Sequence, residues 1–144
     1  MSLLETYHDF VNESAMQESA VDRMTAPITA VLDDGPQHRP MYAEAREALE
    51  MFKSRFLLMY VALGLAGEAG EFAEKVKKTI RDRDGQLDPA RLSMLLEELG
   101  DVNWYSAKAA SVLGSSIEGT ITRNMAKLKD RIARGVRKGE GDTR

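Results

Sequence analysis

Apolar residues recur every three or four positions along most of this chain, which is the spacing of one face of an α-helix. The spacing predicts helices over residues 3–19, 41–83, 89–113 and 117–134. The residue-by-residue alternation that is typical of β-strands does not stand out anywhere. The chain is therefore predicted to be all-α, a helical bundle of about four to five helices.

Turn-forming residues separate the predicted helices. Residues 25–40 contain three prolines and an Asp-Asp-Gly-Pro run, so they are predicted to be a connector with a short apolar turn inside it. Asp88 is a good N-cap, and Pro89 suits the first position of the helix that follows. Ser115 or Ser116 is predicted to cap the last helix.

Three glycines lie inside the long second helix, at positions 64, 67 and 70. A glycine costs about 1 kcal/mol relative to alanine in a helix interior. Their presence therefore indicates either a break near Gly64 or close packing of another helix there.

Composition limits the class of protein and the kind of site. Residues 1–134 of the 144 are predicted to form a single domain, with the Gly- and charge-rich residues 135–144 as a mobile tail. Because cysteine is absent, disulfides, thiolate nucleophiles and cysteine-based zinc sites are excluded. Two histidines leave little material for a Ser-His-Asp triad or a His-rich metal site, and a net charge of −3 gives no reason to expect nucleic-acid binding.

Signals for secretion or membrane insertion are weak. The N-terminal residues lack a basic segment followed by an apolar one, so no signal peptide is predicted. The longest apolar run, residues 56–66, is well short of the roughly 20 residues that a membrane span needs. We expect a cytoplasmic protein that does not cross a membrane.

Four carboxylates lie in two short blocks of the predicted helices. Glu68 and Glu71 are three residues apart, as are Glu98 and Asp101, so each pair shares one helix face. Facing pairs would gather negative charge in a small volume, which is unfavourable unless a cation neutralises it. Carboxylate-only ligation suits Mg²⁺, and Mn²⁺ as well. The four acids are therefore candidate metal ligands, and a solvated acidic face is the alternative.

The register of these pairs is open by one turn. Glu71 and Glu74 are also three residues apart, and Glu97 and Asp101 are four apart. A di-iron carboxylate site is disfavoured, because it needs Glu-x-x-His and no histidine lies on these helices.

The last predicted helix divides into two stripes. Its apolar stripe is predicted to face the core and contains Ile117, Ile121, Met125, Leu128 and Ile132. A second stripe contains Asn124, Lys127 and Arg131, whose donors suit the oxygens of a polyphosphate. A solvated basic face is the alternative interpretation of this second stripe.

Four ordered segments resemble the MazG-like all-α nucleoside triphosphate pyrophosphohydrolases. The segments are GLAGEAGE (64–71), KKTIRD (77–82), ELGDVNWY (98–105) and NMAKLKDR (124–131). The family pattern is E-x-x-E, a spacer and E-x-x-D, and 26 residues separate Glu71 from Glu98. The resemblance is strongest over residues 57–134, and residues 5–10 are similar to the first helix of the family.

The resemblance implies an activity and a set of roles. The family hydrolyses a nucleoside triphosphate to the monophosphate and pyrophosphate with a divalent metal, and its members assemble as homodimers or homotetramers. By position, Glu68, Glu71, Glu98 and Asp101 would bind Mg²⁺ or Mn²⁺. Asn124, Lys127 and Arg131 would contact phosphates.

Further residues follow from the same resemblance. A carboxylate, either Glu71 or Glu74, would accept the proton of the attacking water. Trp104 or Tyr105 would stack on the base, with core packing as the alternative. Lys108 extends the polar side of the same helix and is a further candidate for substrate binding.

The chain departs from the family pattern at two places. Asn103 stands where the family usually has an apolar residue, and residues 20–56 are longer than in compact members. Because base recognition is the variable part of the family, the resemblance does not define the base pocket of this chain. Two alternatives stay open: a phosphoribosyl-ATP pyrophosphohydrolase-like activity, and a non-catalytic helical module that binds a nucleotide or a metal.

Overall fold

A computed structural model of the chain describes residues 2–14, 16–36 and 39–135, and within this part the structure consists of helices and turns without any strand. The five helices are α1 (Leu3–Glu13), α2 (Met16–Asp34), α3 (Pro40–Arg83), α4 (Pro89–Val112) and α5 (Ile117–Ala133). The prediction of an all-α fold is confirmed. Of the predicted mobile tail, residues 136–144 lie outside the described part.

Helix α3 is the central element of the fold. Its 44 residues span about 66 Å at 1.5 Å per residue. Helix α2 runs antiparallel to its first half, where Lys53 lies 3.4 Å from the Asp22 carboxylate. Helix α4 runs antiparallel to its second half, and α1 and α5 pack against α4. The second half of α3 and the facing part of α4 therefore form the centre on which the terminal helices are placed.

Glycine at position 64 allows the close approach of α3 and α4. Helix α3 continues through Gly64 without a break, and a Cβ built at this position would overlap the Tyr105 ring of α4. Of the two sequence interpretations, close packing is correct. In contrast, a Cβ at Gly67 or Gly70 would meet no atom within 4 Å.

The structure corrects the predicted connector over residues 25–40, because most of it belongs to α2. Proline inside a helix removes one backbone hydrogen bond and costs about 3 kcal/mol, so Pro27 indicated a loop. Burial opposes that cost, since Val21 and Thr25 are both buried. Thr25 Oγ1 also donates to the Val21 carbonyl at 3.0 Å and keeps its own hydroxyl satisfied within the helix.

The first helix is shorter than predicted and ends at Glu13 instead of residue 19. The hydroxyl of Ser14 donates back to the carbonyls of Phe10 and Val11, at 3.2 and 3.0 Å. Such local bonds compete with continuation of the helix, which is why serine is common at helix ends.

The predicted ends of α4 and α5 are confirmed. The Asp88 carboxylate accepts from the Arg91 amide at 2.7 Å and caps α4. The Ser116 hydroxyl accepts from the Gly119 amide at 3.0 Å and caps α5. Gly114, between the two helices, has a φ of 69°, which glycine adopts at little cost.

The apolar stripe of α5 is not part of the core of a single chain, contrary to the prediction. Ile121, Met125, Leu128 and Ile132 are between 43% and 54% exposed. The contacts of α5 with α1 and α4 leave this stripe open to solvent. In the described part of the chain, the largest fully buried apolar side chains, Val11 and Val61, lie instead on α1 and α3.

One helix in the described part of the chain, α3, is apolar enough by length and composition to cross a membrane. Its apolar window is only 6% buried in the structure. The longest uncharged segment of this helix, residues 56–67, has 12 residues, against the roughly 20 that a span requires. The exposed apolar surface of α3 is therefore long but is interrupted by charge.

Candidate functional site

Three of the four predicted carboxylates meet where α3 and α4 pack together. Glu68 comes from α3, and Glu98 and Asp101 come from α4. Each offers one carboxylate oxygen, and these three oxygens all lie within 4.8 Å of one another. The i, i+3 spacing puts Glu98 and Asp101 on one face, and the antiparallel packing brings Glu68 opposite them. We call these three residues the acidic cluster.

The acidic cluster lies at the edge of the core and is unevenly buried. Glu98 is only 8% exposed, Glu68 is half-buried and Asp101 is exposed. The pKa of Glu68 is raised above its ordinary 4.5, chiefly by burial and then by the negative charge of Asp101, Glu71 and Glu98. The raised pKa indicates that the negative charge around Glu68 is not fully neutralised by the protein.

The fourth predicted ligand, Glu71, lies outside the acidic cluster. It is exposed on α3, yet it is close enough for its charge to raise the pKa of Glu68. Its role as a ligand or as a base stays a prediction.

The two alternative registers place their extra acids elsewhere. Glu74 forms an ion pair with Lys78 at 3.2 Å, and this lysine lowers the pKa of Glu74. Glu97 is exposed and accepts a hydrogen bond from the Ser93 hydroxyl at 3.2 Å. Thus the pairs Glu68/Glu71 and Glu98/Asp101 point to the cluster better than Glu71/Glu74 or Glu97/Asp101 does.

The donor set of the cluster fits a hard divalent cation. Ligand atoms about 2.1 Å from Mg²⁺ lie roughly 3.0 Å apart when adjacent and roughly 4.2 Å apart when opposite. The three carboxylate oxygens lie within 4.8 Å of one another, which is close to the spacing that such an ion requires. All three donors are oxygens, which Mg²⁺ and Mn²⁺ prefer.

Lys75 is a residue of this site that the sequence analysis did not identify. Its ammonium donates a hydrogen bond to Glu98 Oε1 across the α3–α4 interface. The pKa of Lys75 is raised, first by that hydrogen bond, and the negative charges of Glu98, Glu71 and Glu97 add to the effect. A signal was available, since Lys75 follows Glu71 by four residues and therefore shares its helix face.

Tyr7 of α1 is a second residue of this site that the sequence analysis did not identify. Its pKa is raised, first by burial and then by the negative charge of Asp101. Helix α1 therefore brings a phenol to the border of the acidic cluster. Nothing in the spacing within α1 indicates this, because it depends on how α1 docks against α4.

The predicted aromatic residues pack together next to the cluster. The rings of Trp104 and Tyr105 meet edge to face with centroids 5.0 Å apart, and both side chains are half-buried. Tyr105 lies against Gly64 of α3. These contacts fit core packing, and stacking on a base stays a prediction for both residues.

Lys108 is almost fully buried, at 2% exposure, and forms an ion pair with Glu18 of α2. A contact between Lys108 and a substrate would require Glu18 to give up this pair. The assignment of Lys108 to substrate binding stays a prediction.

The three predicted phosphate ligands lie along α5, which packs against α4 and α1. Asn124 and Lys127 are exposed, and Arg131 is half-buried. They share one stripe of α5, as predicted, and their role toward phosphate stays a prediction.

Comparison with known proteins identifies the family. A sequence profile described as the MazG nucleotide pyrophosphohydrolase domain matches residues 59–135, which is 77 of the 144 residues. The chain belongs to this family. The matched part contains the whole acidic cluster, Lys75 and all of α5. It leaves α1, α2 and the first part of α3 outside, including residues 20–56, which are longer than in compact members of the family.

A phage protein is similar over much of the same length. The "Gene 37 protein" of Mycobacterium phage L5 is 48% identical over 87 residues, which cover 60% of this chain and 76% of the phage protein. Its name states no activity. No solved structure gave a significant match.

Proposed function

We propose that this MazG-family protein hydrolyses a ribo- or deoxyribonucleoside triphosphate to the monophosphate and pyrophosphate, with a divalent metal ion as cofactor. The observation that carries the proposal is the acidic cluster itself. A half-buried Glu68 with a raised pKa faces two further carboxylates within 4.8 Å, inside the part of the chain that matches the family. Like charges this close together destabilise the folded chain, and a bound divalent cation would offset that cost.

The metal assigned to this cluster is Mg²⁺, with Mn²⁺ as a substitute. Glu68, Glu98 and Asp101 would hold it, and Glu71 would join them by turning from its exposed position on α3. When bound, such an ion neutralises triphosphate charge and lowers the pKa of a nearby water.

Side chains of the protein accept the proton of the attacking water. Glu71, exposed and next to the cluster, accepts the proton of the water that attacks the α-phosphorus. Glu74 is less suited to this role, because it is already paired with Lys78. The bond from the α-phosphorus to the bridging oxygen breaks, and pyrophosphate departs.

We assign the stabilisation of charge on the departing pyrophosphate to the second stripe of α5, which contains Asn124, Lys127 and Arg131. Lys127 offers a point charge, Arg131 a planar fork of donors and Asn124 an amide. Their contribution would be electrostatic stabilisation of the transition state. Trp104 or Tyr105 would hold the base, and the α1–α2 region would shape the pocket around it.

The apolar stripe of α5 supports assembly as a homodimer or a homotetramer. Four large apolar side chains on this stripe are about half exposed in one chain, and Met59 and Leu63 of α3 are exposed as well. A second copy of the chain would cover them. The localisation assigned with this function is the cytoplasm, where nucleoside triphosphates are available.

Product analysis tests the proposal. Each ribo- and deoxyribonucleoside triphosphate is incubated with the protein and Mg²⁺, with and without added inorganic pyrophosphatase. Phosphate that appears only with the pyrophosphatase supports cleavage between the α- and β-phosphates, and the ranking of substrates gives the base preference. No product from any of them, with Mn²⁺ tried as well, would contradict the proposed activity.

A further inference from the structure

The acidic cluster already contains a positive charge of its own. The ammonium of Lys75 donates to Glu98 Oε1, and Glu98 is the most buried member of the cluster. The Lys75 side chain is 22% exposed and that of Glu98 is 10% exposed, so water screens this pair only partly. Glu98 is therefore neutralised from within the α3–α4 pair.

This ion pair uses a carboxylate that a metal would need. Glu98 supplies one of the three oxygens that lie within 4.8 Å of one another, and the Lys75 ammonium is bonded to the same carboxylate. A divalent cation and an ammonium at one carboxylate repel each other, and the repulsion is strong where water is largely excluded. Full metal ligation by Glu98 and the Lys75–Glu98 bond therefore oppose each other.

The position of Lys75 explains why the pair forms in the absence of a metal. The charges of Glu98, Glu71 and Glu97 all act on the ammonium, so several acids hold it toward the cluster. Its flexible four-carbon stem allows it to leave again, which a rigid guanidinium fork would do less readily.

We propose that Lys75 is an internal counter-ion that a divalent cation must displace from Glu98, so that this lysine sets the metal affinity of the site. Lys75 is a positioning residue: it acts through Glu98. The inference rests on the proposed metal-dependent function. It goes further by naming the residue that weakens metal binding and that neutralises Glu98 when no metal is bound.

Lys78 provides a matched control on the same helix. It pairs with Glu74 at 3.2 Å, and both side chains are about half exposed. Neither residue belongs to the acidic cluster. Removing its charge changes the net charge of the protein by the same amount as removing that of Lys75, but at a different place.

The test is calorimetric titration of Mn²⁺ into the metal-free full-length protein, comparing wild type with Lys75→Met, Lys75→Gln, Lys75→Arg and Lys78→Met. We expect Lys75→Met and Lys75→Gln to bind Mn²⁺ roughly tenfold more tightly, as removal of a competing partly buried ion pair implies. Lys75→Arg keeps the charge, and because its guanidinium leaves Glu98 less readily, it should bind Mn²⁺ no more tightly than wild type. Lys78→Met should bind like wild type.

A second readout follows folding without any metal. Lys75→Met leaves Glu98 without its counter-ion, so its melting temperature in EDTA should fall below that of wild type and rise more when Mn²⁺ is added. If Lys75→Met does not fold, Lys75→Gln carries the same expectation, since its amide still donates to Glu98.

The outcomes separate this inference from the function on which it rests. Wild type that binds Mn²⁺, with Lys75→Met and Lys75→Gln binding equally or more weakly, overturns the counter-ion role and leaves the metal site standing. If Lys78→Met gains as much Mn²⁺ affinity as Lys75→Met, the change in net charge explains the gain, and the counter-ion role of Lys75 is overturned. No Mn²⁺ binding by any of the folded proteins would overturn the metal site and this inference together.

Discussion

A single buried carboxylate, Glu98, shows how this site balances charge. It lies almost entirely within the α3–α4 interface, where an isolated ionised group would be expensive. Lys75 offsets that cost from the facing helix. Asp101, one turn further along, is instead exposed to solvent. The two acids of the E-x-x-D motif therefore differ in what their removal does to the fold.

Asp101→Asn is the cleaner test of the metal site. Because Asp101 is exposed, the variant should keep its melting temperature within a few degrees in EDTA, which corresponds to roughly 0.5 kcal/mol for a surface change. Loss of one charged ligand should lower kcat/KM by at least about 100-fold. Steady-state assays of pyrophosphate release, with circular dichroism as the folding check, measure both.

Glu97→Gln is the matched control for this variant. Glu97 is exposed on the same helix and bonds only to Ser93 among the described contacts. It should retain wild-type activity. Loss of activity in Glu97→Gln as well as in Asp101→Asn would instead bring Glu97 into the site, as the Glu97/Asp101 register requires.

Glu68 makes the stability of the metal-free protein depend on pH. Its pKa is raised in the folded state above its ordinary 4.5, so the folded protein holds this proton more tightly than the unfolded chain does. The free energy of unfolding should therefore fall as pH rises from 4.5 through the raised pKa. Glu68→Gln removes this loss, so in EDTA it should melt above wild type near pH 7.

The difference in melting temperature between Glu68→Gln and wild type should shrink as pH is lowered toward 4.5. Thermal denaturation in EDTA between about pH 4 and about pH 8 checks this. A difference that is constant across the range would show that Glu68 ionisation is not its source. Addition of Mn²⁺ should stabilise wild type and have little effect on Glu68→Gln.

At the scale of residues, the acidic cluster could be predicted from the sequence. Of the residues around it, Lys75 could have been predicted as well, but Tyr7 could not. Three-residue spacing fixes which acids share a face, so Glu98 and Asp101 follow from the helix alone. Lys75 was also within reach by the same rule. Tyr7 was not, because its approach to Asp101 depends on the docking of α1, which no local pattern encodes.

At the scale of helices, the crossing of α3 and α4 depends on Gly64. A methyl group there would overlap the Tyr105 ring, so Gly64→Ala should destabilise the protein by about 1–3 kcal/mol and move the facing carboxylates apart. Gly67→Ala, three residues further along the same helix, meets no atom within 4 Å and should stabilise it by up to about 1 kcal/mol. Urea denaturation of both variants measures the difference.

An equal effect of the two alanine substitutions would show that helix propensity, and not the contact with Tyr105, decides at Gly64. A loss of stability in Gly64→Ala that disappears when Tyr105 is shortened to alanine would confirm the contact.

Helix boundaries were predictable where capping chemistry is local and failed where packing decides. Asp88 and Ser116 cap their helices as predicted, since in each capping bond the donor amide is only three residues after the accepting side chain. Helix α2 was missed because Pro27 is a strong local signal for a break. The burial of Val21 and Thr25, which outweighs that signal, requires another helix and is not visible in the segment itself.

At the scale of the whole molecule, the apolar stripe of α5 predicts self-association. Light scattering coupled to size exclusion should give a dimer or a tetramer for wild type. Leu128→Glu puts a charge in the middle of the stripe and forfeits about 1.5–3 kcal/mol of apolar burial per chain, so it should shift the protein toward monomer. Arg123→Glu, on the opposite side of α5, is the control and should assemble like wild type.

A wild-type protein that remains monomeric at micromolar concentration would contradict this prediction. It would mean that a second copy of the chain does not cover the apolar stripe of α5. The all-α architecture followed from helical spacing alone, but the sequence pattern assigned the stripe of α5 to the core, since periodicity identifies an apolar face without saying which chain covers it.

The antiparallel pair of α3 and α4 also bears on the order in which the molecule folds. The three acids and Lys75 all come from this pair, whose helices are joined by only five residues, 84–88. Contacts between such near neighbours close small loops and form early. We therefore expect the mutual repulsion of the acids to arise early in folding, before α1 docks, together with the Lys75–Glu98 ion pair that relieves part of it.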